Sequence, residues 1–285
     1  MSLPLPSSLS PSKVSSFKDC ALAFRFSAID KLPEAPSVPA MKGTAVHRGL
    51  ELLLSDEPSS RTRERGTECL EQALAEAREE PDWSELALDD ADEAAFDRDA
   101  AAMLERYFGI EDPRRVEPLG LELTLESEIG GVTVRGIIDR LERDSDGRLV
   151  VTDYKTGRTP GRAQEQSRLG GVHFYAYLCH RHYGELPSRV QLMYLGSEPQ
   201  IISTEPTEQS VRGLETRVGA IWTAVERACE HDDFRPKTSA LCNWCSFQQY
   251  CPEYGGDPDE ARAVALAAAS AESVPVTLDA AVPSA

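Results

Sequence analysis

The run Gly136-Ile-Ile-Asp139-Arg-Leu-Glu-Arg-Asp144-Ser-Asp146-Gly147-Arg-Leu149-Val-Val-Thr-Asp153-Tyr-Lys155 decides how this chain is read. Apolar residues flank a turn-forming Asp-Ser-Asp-Gly cluster, which predicts strands over Val132–Leu141 and Leu149–Tyr154 joined around Asp146. Asp139 and Asp153 lie equal distances on either side of Asp146, so a simple hairpin sets them across from each other. Cross-strand Cβ atoms stand about 5 Å apart, and like charges there destabilise the pair. A divalent cation held between the carboxylates offsets that repulsion, since Mg²⁺ takes hard oxygen ligands. Strand alternation puts Lys155 on the face of Asp153. An ammonium at that place stabilises charge developing on a phosphate or lowers the pKa of an attacking water. Thr156-Gly157 then ends the strand and leaves the site at an open edge.

Other readings use the same residues less fully. An exposed strand pair with a solvated Asp and a surface Lys accounts for the spacing alone. A calcium loop counted from Asp144 puts Lys155 where the bidentate Glu belongs and misplaces the glycine. A protonated acid–base dyad leaves Lys155 without a role. The metal site employs all three groups.

Outward from the hairpin, Leu119–Ile129 predicts a third strand and so an antiparallel meander. Everything before Pro118 reads as helix. Ser10-Pro11 opens the first element as N-cap and first helical residue. A Pro-rich break (Pro33, Pro36, Pro39) separates it from a helix over Thr44–Leu54 with Val46, Leu50, Leu53 and Leu54 on its apolar side. Charged, Ala-rich helices are expected over Arg63–Glu79 and Glu85–Phe108. Beyond the lysine the pattern predicts a helix over Gln164–Tyr183, strands over Val190–Leu195 and Ile201–Thr204, and an amphipathic helix over Glu208–Glu230. The fold class is α/β (α+β), a mixed sheet flanked by helices. Its expected parts are a helical region at 1–117, a core at 118–236, a cysteine loop at 237–256 and a disordered, acidic and Ala-rich tail at 257–285.

The chain of 285 residues carries a formal charge of −18, which leaves any phosphate contact to local basic groups. Lys155, Arg158, Arg162 and Arg168 follow closely enough to form such a strip, and a solvated loop is the plain alternative. The start, MSLPLPSSLSPSK, lacks the basic leader and apolar core of a signal peptide. No apolar stretch is long enough to cross a bilayer, and a cytoplasmic location is expected. Among seven cysteines, Cys69, Cys179 and Cys229 fall within helical patterns as packed thiols. Cys242-Asn-Trp-Cys245 and Cys251 form a knuckle lacking a fourth local ligand, for which Cys20 is the natural donor. Composition leaves Zn²⁺, an iron–sulfur cluster and unligated thiols open.

These residues carry a resemblance. Gly136-Ile-Ile-Asp139 followed by Asp153-Tyr154-Lys155-Thr-Gly resembles the active-site hairpin of the RecB-type nucleases of the PD-(D/E)XK superfamily, and Gly43-Thr-Ala-Val-His47-Arg-Gly-Leu-Glu51 resembles the helix that supplies their histidine. The resemblance implies a restriction-endonuclease-like core in which His47, Asp139, Asp153 and the Tyr154 carbonyl hold Mg²⁺ or Mn²⁺. Lys155 positions or activates the attacking water, Glu122 is a supporting acid, and Tyr175 approaches the substrate. Glu51, one turn beyond His47, is placed to orient it. One early and three late cysteines are similar to the iron–sulfur staple of AddB-type helicase–nucleases and RecB-like CRISPR-associated nucleases, which implies a [4Fe–4S] cluster on Cys20, Cys242, Cys245 and Cys251. The family's Gln four residues before Tyr175 is replaced by Gly171. The activity so implied is metal-dependent hydrolysis of DNA with single strands or free ends, in repair or recombination. No phosphate-binding Gly-rich loop is present, so unwinding would fall to a separate helicase. A DNA-binding or partner-docking module without turnover and a zinc-stapled interaction domain are the alternatives.

Overall fold

A computed structural model describes residues 2–161 and 171–272. In chain order the elements are α1 (Pro11–Asp19), α2 (Ala21–Phe24, running into a π-helical turn at Arg25–Ile29), α3 (Val38–Ser55), α4 (Arg63–Glu79), α5 (Pro81–Glu85), α6 (Asp90–Ile110), β1 (Pro118–Ile129), β2 (Val132–Arg143), β3 (Leu149–Lys155), α7 (Val172–Tyr183), β4 (Arg189–Tyr194), β5 (Gln200–Thr204), α8 (Glu208–His231) and α9 (Pro258–Glu272). The chain divides into two compact units. One comprises Ser7–Ser12 and Ala35–Trp222; the other draws on both chain ends, Met1–Pro6, Lys13–Glu34 and Thr223–Ala285. Residues 13–34 therefore do not group with the other N-terminal helices, because the contacts that decide this are remote in sequence.

In the larger unit the five strands lie in the order β1-β2-β3-β4-β5. β1, β2 and β3 form the expected antiparallel meander, β3 and β4 run parallel, and β4 and β5 antiparallel. This is the mixed sheet the sequence predicts. The hairpin register runs from Arg143↔Leu149 to Arg140↔Thr152, symmetric about Asp146. Its turn is built by Asp144, whose Oδ1 accepts the N–H groups of Asp146 (3.0 Å) and Arg148 (2.9 Å), and by Gly147 at φ +78°. Leu149–Tyr154 of β3 is buried throughout, as a central strand covered on both faces must be.

The helix expected from Thr44 begins at Val38. Ser37 caps it, its hydroxyl accepting the Ala40 N–H at 3.4 Å, and Pro39 sits in the first turn, where a missing N–H costs nothing. Ala45, Val46, Leu50, Leu53 and Leu54 of α3 share one core with Cys69, Leu70 and Leu74 of α4, Phe96, Met103, Leu104 and Tyr107 of α6, and Tyr154, Met193 and Leu195 of the sheet region. Gly49 allows the close approach of α3 to α4, since a Cβ there would stand 3.2 Å from the Leu70 Cα.

One expectation falls partly outside the described residues, and another changes. The helix predicted from Gln164 is described from Val172; 164–170, with Arg162 and Arg168 of the basic strip, lies outside the described residues. The tail expected to be disordered from 257 instead begins with α9. Asp257 Oδ1 accepts the Asp259 N–H at 2.9 Å, Pro258 opens the first turn, and Ala261 is buried, so a capped, Ala-rich segment gains a packing face. Residues 273–285 lie outside the described residues. Among the described residues no helix is long and apolar enough to cross a membrane.

Candidate active site

Three acids line up across three neighbouring strands. The pairs Leu121↔Arg140 and Leu123↔Ile138 bracket Glu122 opposite Asp139, and the hairpin register, continued one step past Arg140↔Thr152, sets Asp139 opposite Asp153. The β2–β3 ladder stops at that point, where the strands part. Asp139 Oδ2 takes the Tyr154 N–H at 2.6 Å, a donor the ladder no longer satisfies. Glu122 holds a left-handed backbone at φ +44°, a conformation that costs an L-residue roughly 1–2 kcal/mol and is typical of strain kept at functional sites.

α3 delivers His47 to this fork. Its Nδ1 lies 3.5 Å from Asp139 Oδ2 and 3.9 Å from Glu122 Oε1, and its Nε2 lies 3.1 Å from the Tyr154 carbonyl oxygen. His47, Glu122 and Asp139 are the one group among the described residues that brings three ligand atoms within 4.8 Å of one another. Glu122 thus stands closer to the histidine than a merely supporting acid would, and Asp153 stands outside this trio. Glu51, expected to orient His47, instead accepts from Arg48 at 2.8 Å.

Asp153 is held from the side of α7 and from its own strand. The Tyr175 hydroxyl donates to Oδ1 at 3.0 Å. The Lys155 ammonium pairs with the buried Oδ2. Gly136 makes room for α7: a Cβ there would stand 2.8 Å from Leu178 Cδ1 and 3.4 Å from the Tyr175 ring. Tyr175 is therefore more than a packed aromatic, and it reaches the site without the family glutamine.

The electrostatics follow from this crowding. Burial, and next the charge of Asp153, push the Asp139 carboxyl up to about 7, with the Tyr154 N–H and Lys155 opposing. Burial and then Asp139 raise Glu122. Burial lowers His47 against the pull of Glu122 and Asp153, which favours the neutral imidazole a metal requires. Burial works against the Lys155 charge, but the Asp153 carboxylate outweighs it and the lysine is raised. Clustered carboxylates beside a histidine whose charge is disfavoured by burial make a donor set that fits a hard divalent cation.

The smaller unit holds the other predicted centre. Cys20, Cys242, Cys245 and Cys251 line one cavity of about 260 Å³, and all four are free thiols. The Ser239 N–H donates to Cys242 Sγ at 3.4 Å. Among the described residues the cysteines supply no set of three sulfurs within 4.8 Å of one another. Cys69, Cys179 and Cys229 are buried, as packed thiols should be. Burial pushes Cys179 up to about 12 and Cys229 up to about 11, so both stay protonated at neutral pH.

A model of the PD-(D/E)XK nuclease superfamily matches residues 8–252. The chain belongs to this superfamily. As a PD-(D/E)XK protein it places Ile138-Asp139 and Asp153-Tyr154-Lys155 at the fork of β2 and β3. Among solved structures, a candidate exonuclease from Eubacterium rectale aligns with a TM-score of 0.54 at 13% identity, over 84% of this chain and 87% of that one. The structure of SSO0001 aligns with a TM-score of 0.37 at 16% identity, over 75% of this chain and 95% of that one. The first of these likenesses is one of fold. No curated protein matches the chain.

One residue of the fork escapes sequence reasoning. Arg140, fully buried, donates to Tyr154 Oη (2.8 Å) and Thr152 Oγ1 (3.2 Å) and pairs with Glu111 and Glu142. The available signal is a cation inside the apolar run Ile137-Ile138-Asp139-Arg140-Leu141, beside an acid already singled out.

Proposed function

We propose that this PD-(D/E)XK protein is a Mg²⁺- or Mn²⁺-dependent DNA nuclease of RecB type, an exonuclease on single strands or free ends that serves repair or recombination. The observation that carries the reading is the row Glu122–Asp139–Asp153 with His47 and Lys155 gathered at its end. His47, Asp139, Asp153 and the Tyr154 carbonyl are the proposed holders of the cation, with Glu122 beside them. The bound cation supplies Lewis-acid stabilisation of charge on the phosphate oxygens and a more acidic water.

The chain's own groups do the rest. Lys155, kept protonated by Asp153, acts as a donor: it orients the attacking water and stabilises the added negative charge at phosphorus. Tyr175 fixes the rotamer of Asp153 through Oδ1, and Lys155 pairs with Oδ2. The Tyr154 N–H fixes Asp139 in the same way. Hydrolysis adds water across the phosphodiester: a P–O bond to water forms, the P–O bond to the leaving sugar breaks, and that sugar oxygen ends protonated.

For the thiol cavity the reading is a structural [4Fe–4S] cluster. The gathering of all four cysteines on the wall of one cavity supports a shared thiolate-held centre, and the split of one early and three late cysteines, similar to the family's iron–sulfur staple, favours the cluster over Zn²⁺. Iron and sulfide analysis of anaerobically purified protein tests it, with stoichiometric zinc and no iron as the contrary result.

End-labelled single-stranded DNA incubated with Mn²⁺ tests the activity. Degradation should require the metal and vanish in Asp153→Ala and Lys155→Ala; activity indifferent to both substitutions refutes the site. A module that binds DNA or a helicase without turnover is the second reading, favoured by Gly171 in place of the family amide. It predicts DNA retention with no product at any metal concentration.

A further inference from the structure

Arg140 is the largest fully buried side chain among the described residues. Burying a cation is expensive, and a well-packed apolar residue often serves a core equally well or better. What its donors hold therefore needs a reason. Nη1 donates to the Tyr154 hydroxyl at 2.8 Å and to Glu111; Nη2 donates to Glu111 (3.0 Å), Glu142 (3.2 Å) and the Thr152 hydroxyl (3.2 Å). Gln191 Nε2 reaches the same Thr152 oxygen at 2.8 Å. Thr152 and Tyr154 alternate with Asp153 and Lys155 along β3, so the guanidinium works on the side of β3 away from the two motif residues.

Tyr154 is consequently tied at three atoms. Arg140 holds its hydroxyl, Asp139 Oδ2 holds its N–H at 2.6 Å, and its carbonyl oxygen stands 3.1 Å from His47 Nε2. Arg140↔Thr152 is also the last rung of the β2–β3 ladder. Beyond it the strands part, and no ladder bond keeps Asp139 and Asp153 at a set distance. The geometry points to Arg140 as a positioning residue, which fixes the Tyr154 peptide between Asp139 and His47 from behind the sheet and so sets how the proposed cation-binding groups stand. This rests on the nuclease reading of that site.

The test uses the full chain with Tyr154→Phe, which keeps the ring and removes only the hydroxyl, and Arg140→Lys, which keeps the charge but cannot span the same partners. Two quantities are read: Mn²⁺ affinity by electron paramagnetic resonance, and amide exchange at residue 154 in metal-free protein. Groups that orient metal ligands from behind typically change affinity by about 10–100-fold. Tyr154→Phe should weaken Mn²⁺ binding about tenfold or more and speed exchange at 154 at least as much, while the Val150 amide keeps its protection. Should Arg140→Lys fail to fold, Tyr154→Phe alone decides. Unaltered Mn²⁺ affinity in Tyr154→Phe, or an amide at 154 as protected as before, overturns the assignment. Failure of the unsubstituted protein to bind Mn²⁺ instead removes the nuclease reading, and the exchange rates still decide whether Arg140 holds the peptide.

Discussion

Replacing Asp139 by asparagine should make the metal-free protein more stable and the enzyme inert. Burial and the Asp153 charge raise the Asp139 carboxyl from 3.8 to about 7 in the folded chain. One pKa unit corresponds to about 1.4 kcal/mol, so ionising this group within the fold costs at most about 4 kcal/mol. A folded pKa above the unfolded one gives a contribution that is present below pH 3.8 and is lost as pH rises through about 7. The variant, nearly isosteric and without that titration, should match the parent near pH 4 and exceed it by about 2–4 kcal/mol at pH 8. Its amide oxygen still accepts the Tyr154 N–H, which limits collateral loss. Urea unfolding in EDTA at the two pH values measures the difference. Mn²⁺ at about 1,000 times its Kd should close that gap, since it stabilises the parent by about 4.1 kcal/mol and leaves the variant nearly untouched. A variant less stable than the parent at pH 8 in EDTA, or a gap that does not change with pH, refutes the electrostatic account.

Lys155→Ala should lower kcat about 100-fold or more while Mn²⁺ still binds, measured by single-turnover cleavage beside metal titration. Glu122→Gly should prove about 1 kcal/mol more stable than Glu122→Ala in thermal unfolding, because only glycine adopts φ +44° without strain. Gly136→Ala should cost about 1 kcal/mol in urea unfolding as the buried Leu178 side chain gives way, while Tyr175, at an ordinary 3.4 Å, keeps its bond to Asp153. Cys20→Ser should strip most of the iron from anaerobically purified protein and lower its melting temperature, and an unchanged metal content would remove Cys20 from the ligand set.

The hairpin is legible in the sequence because two strict rules meet there. Antiparallel pairing makes residues symmetric about a turn into partners, and Asp144 and Gly147 mark the turn, so Asp139 and Asp153 can be paired by counting. His47 and Tyr175 are visible only as parts of a motif, since a helix pattern does not say which distant strand its side chains meet. Glu122 is visible only through the family resemblance, since its place opposite Asp139 depends on the β1–β2 register and its left-handed backbone leaves no mark in the sequence pattern. Arg140 carries no periodic signature at all. Its burial depends on Glu111 at the end of α6, 29 positions away, and local pattern cannot reveal such a partner. The same holds for the grouping of residues 13–34 with the far end of the chain.

That grouping has a consequence for synthesis. Leu22, Phe24 and Phe26 are almost fully sequestered in a unit whose larger part begins only at Thr223. As the polypeptide leaves the ribosome, these three apolar residues emerge well before the segment from Thr223 onward that shares their unit. Throughout that interval they form a sticky patch that chaperones can capture, and a stalled or truncated product keeps it exposed. Synthesis of the segment from Thr223 onward is what retires it.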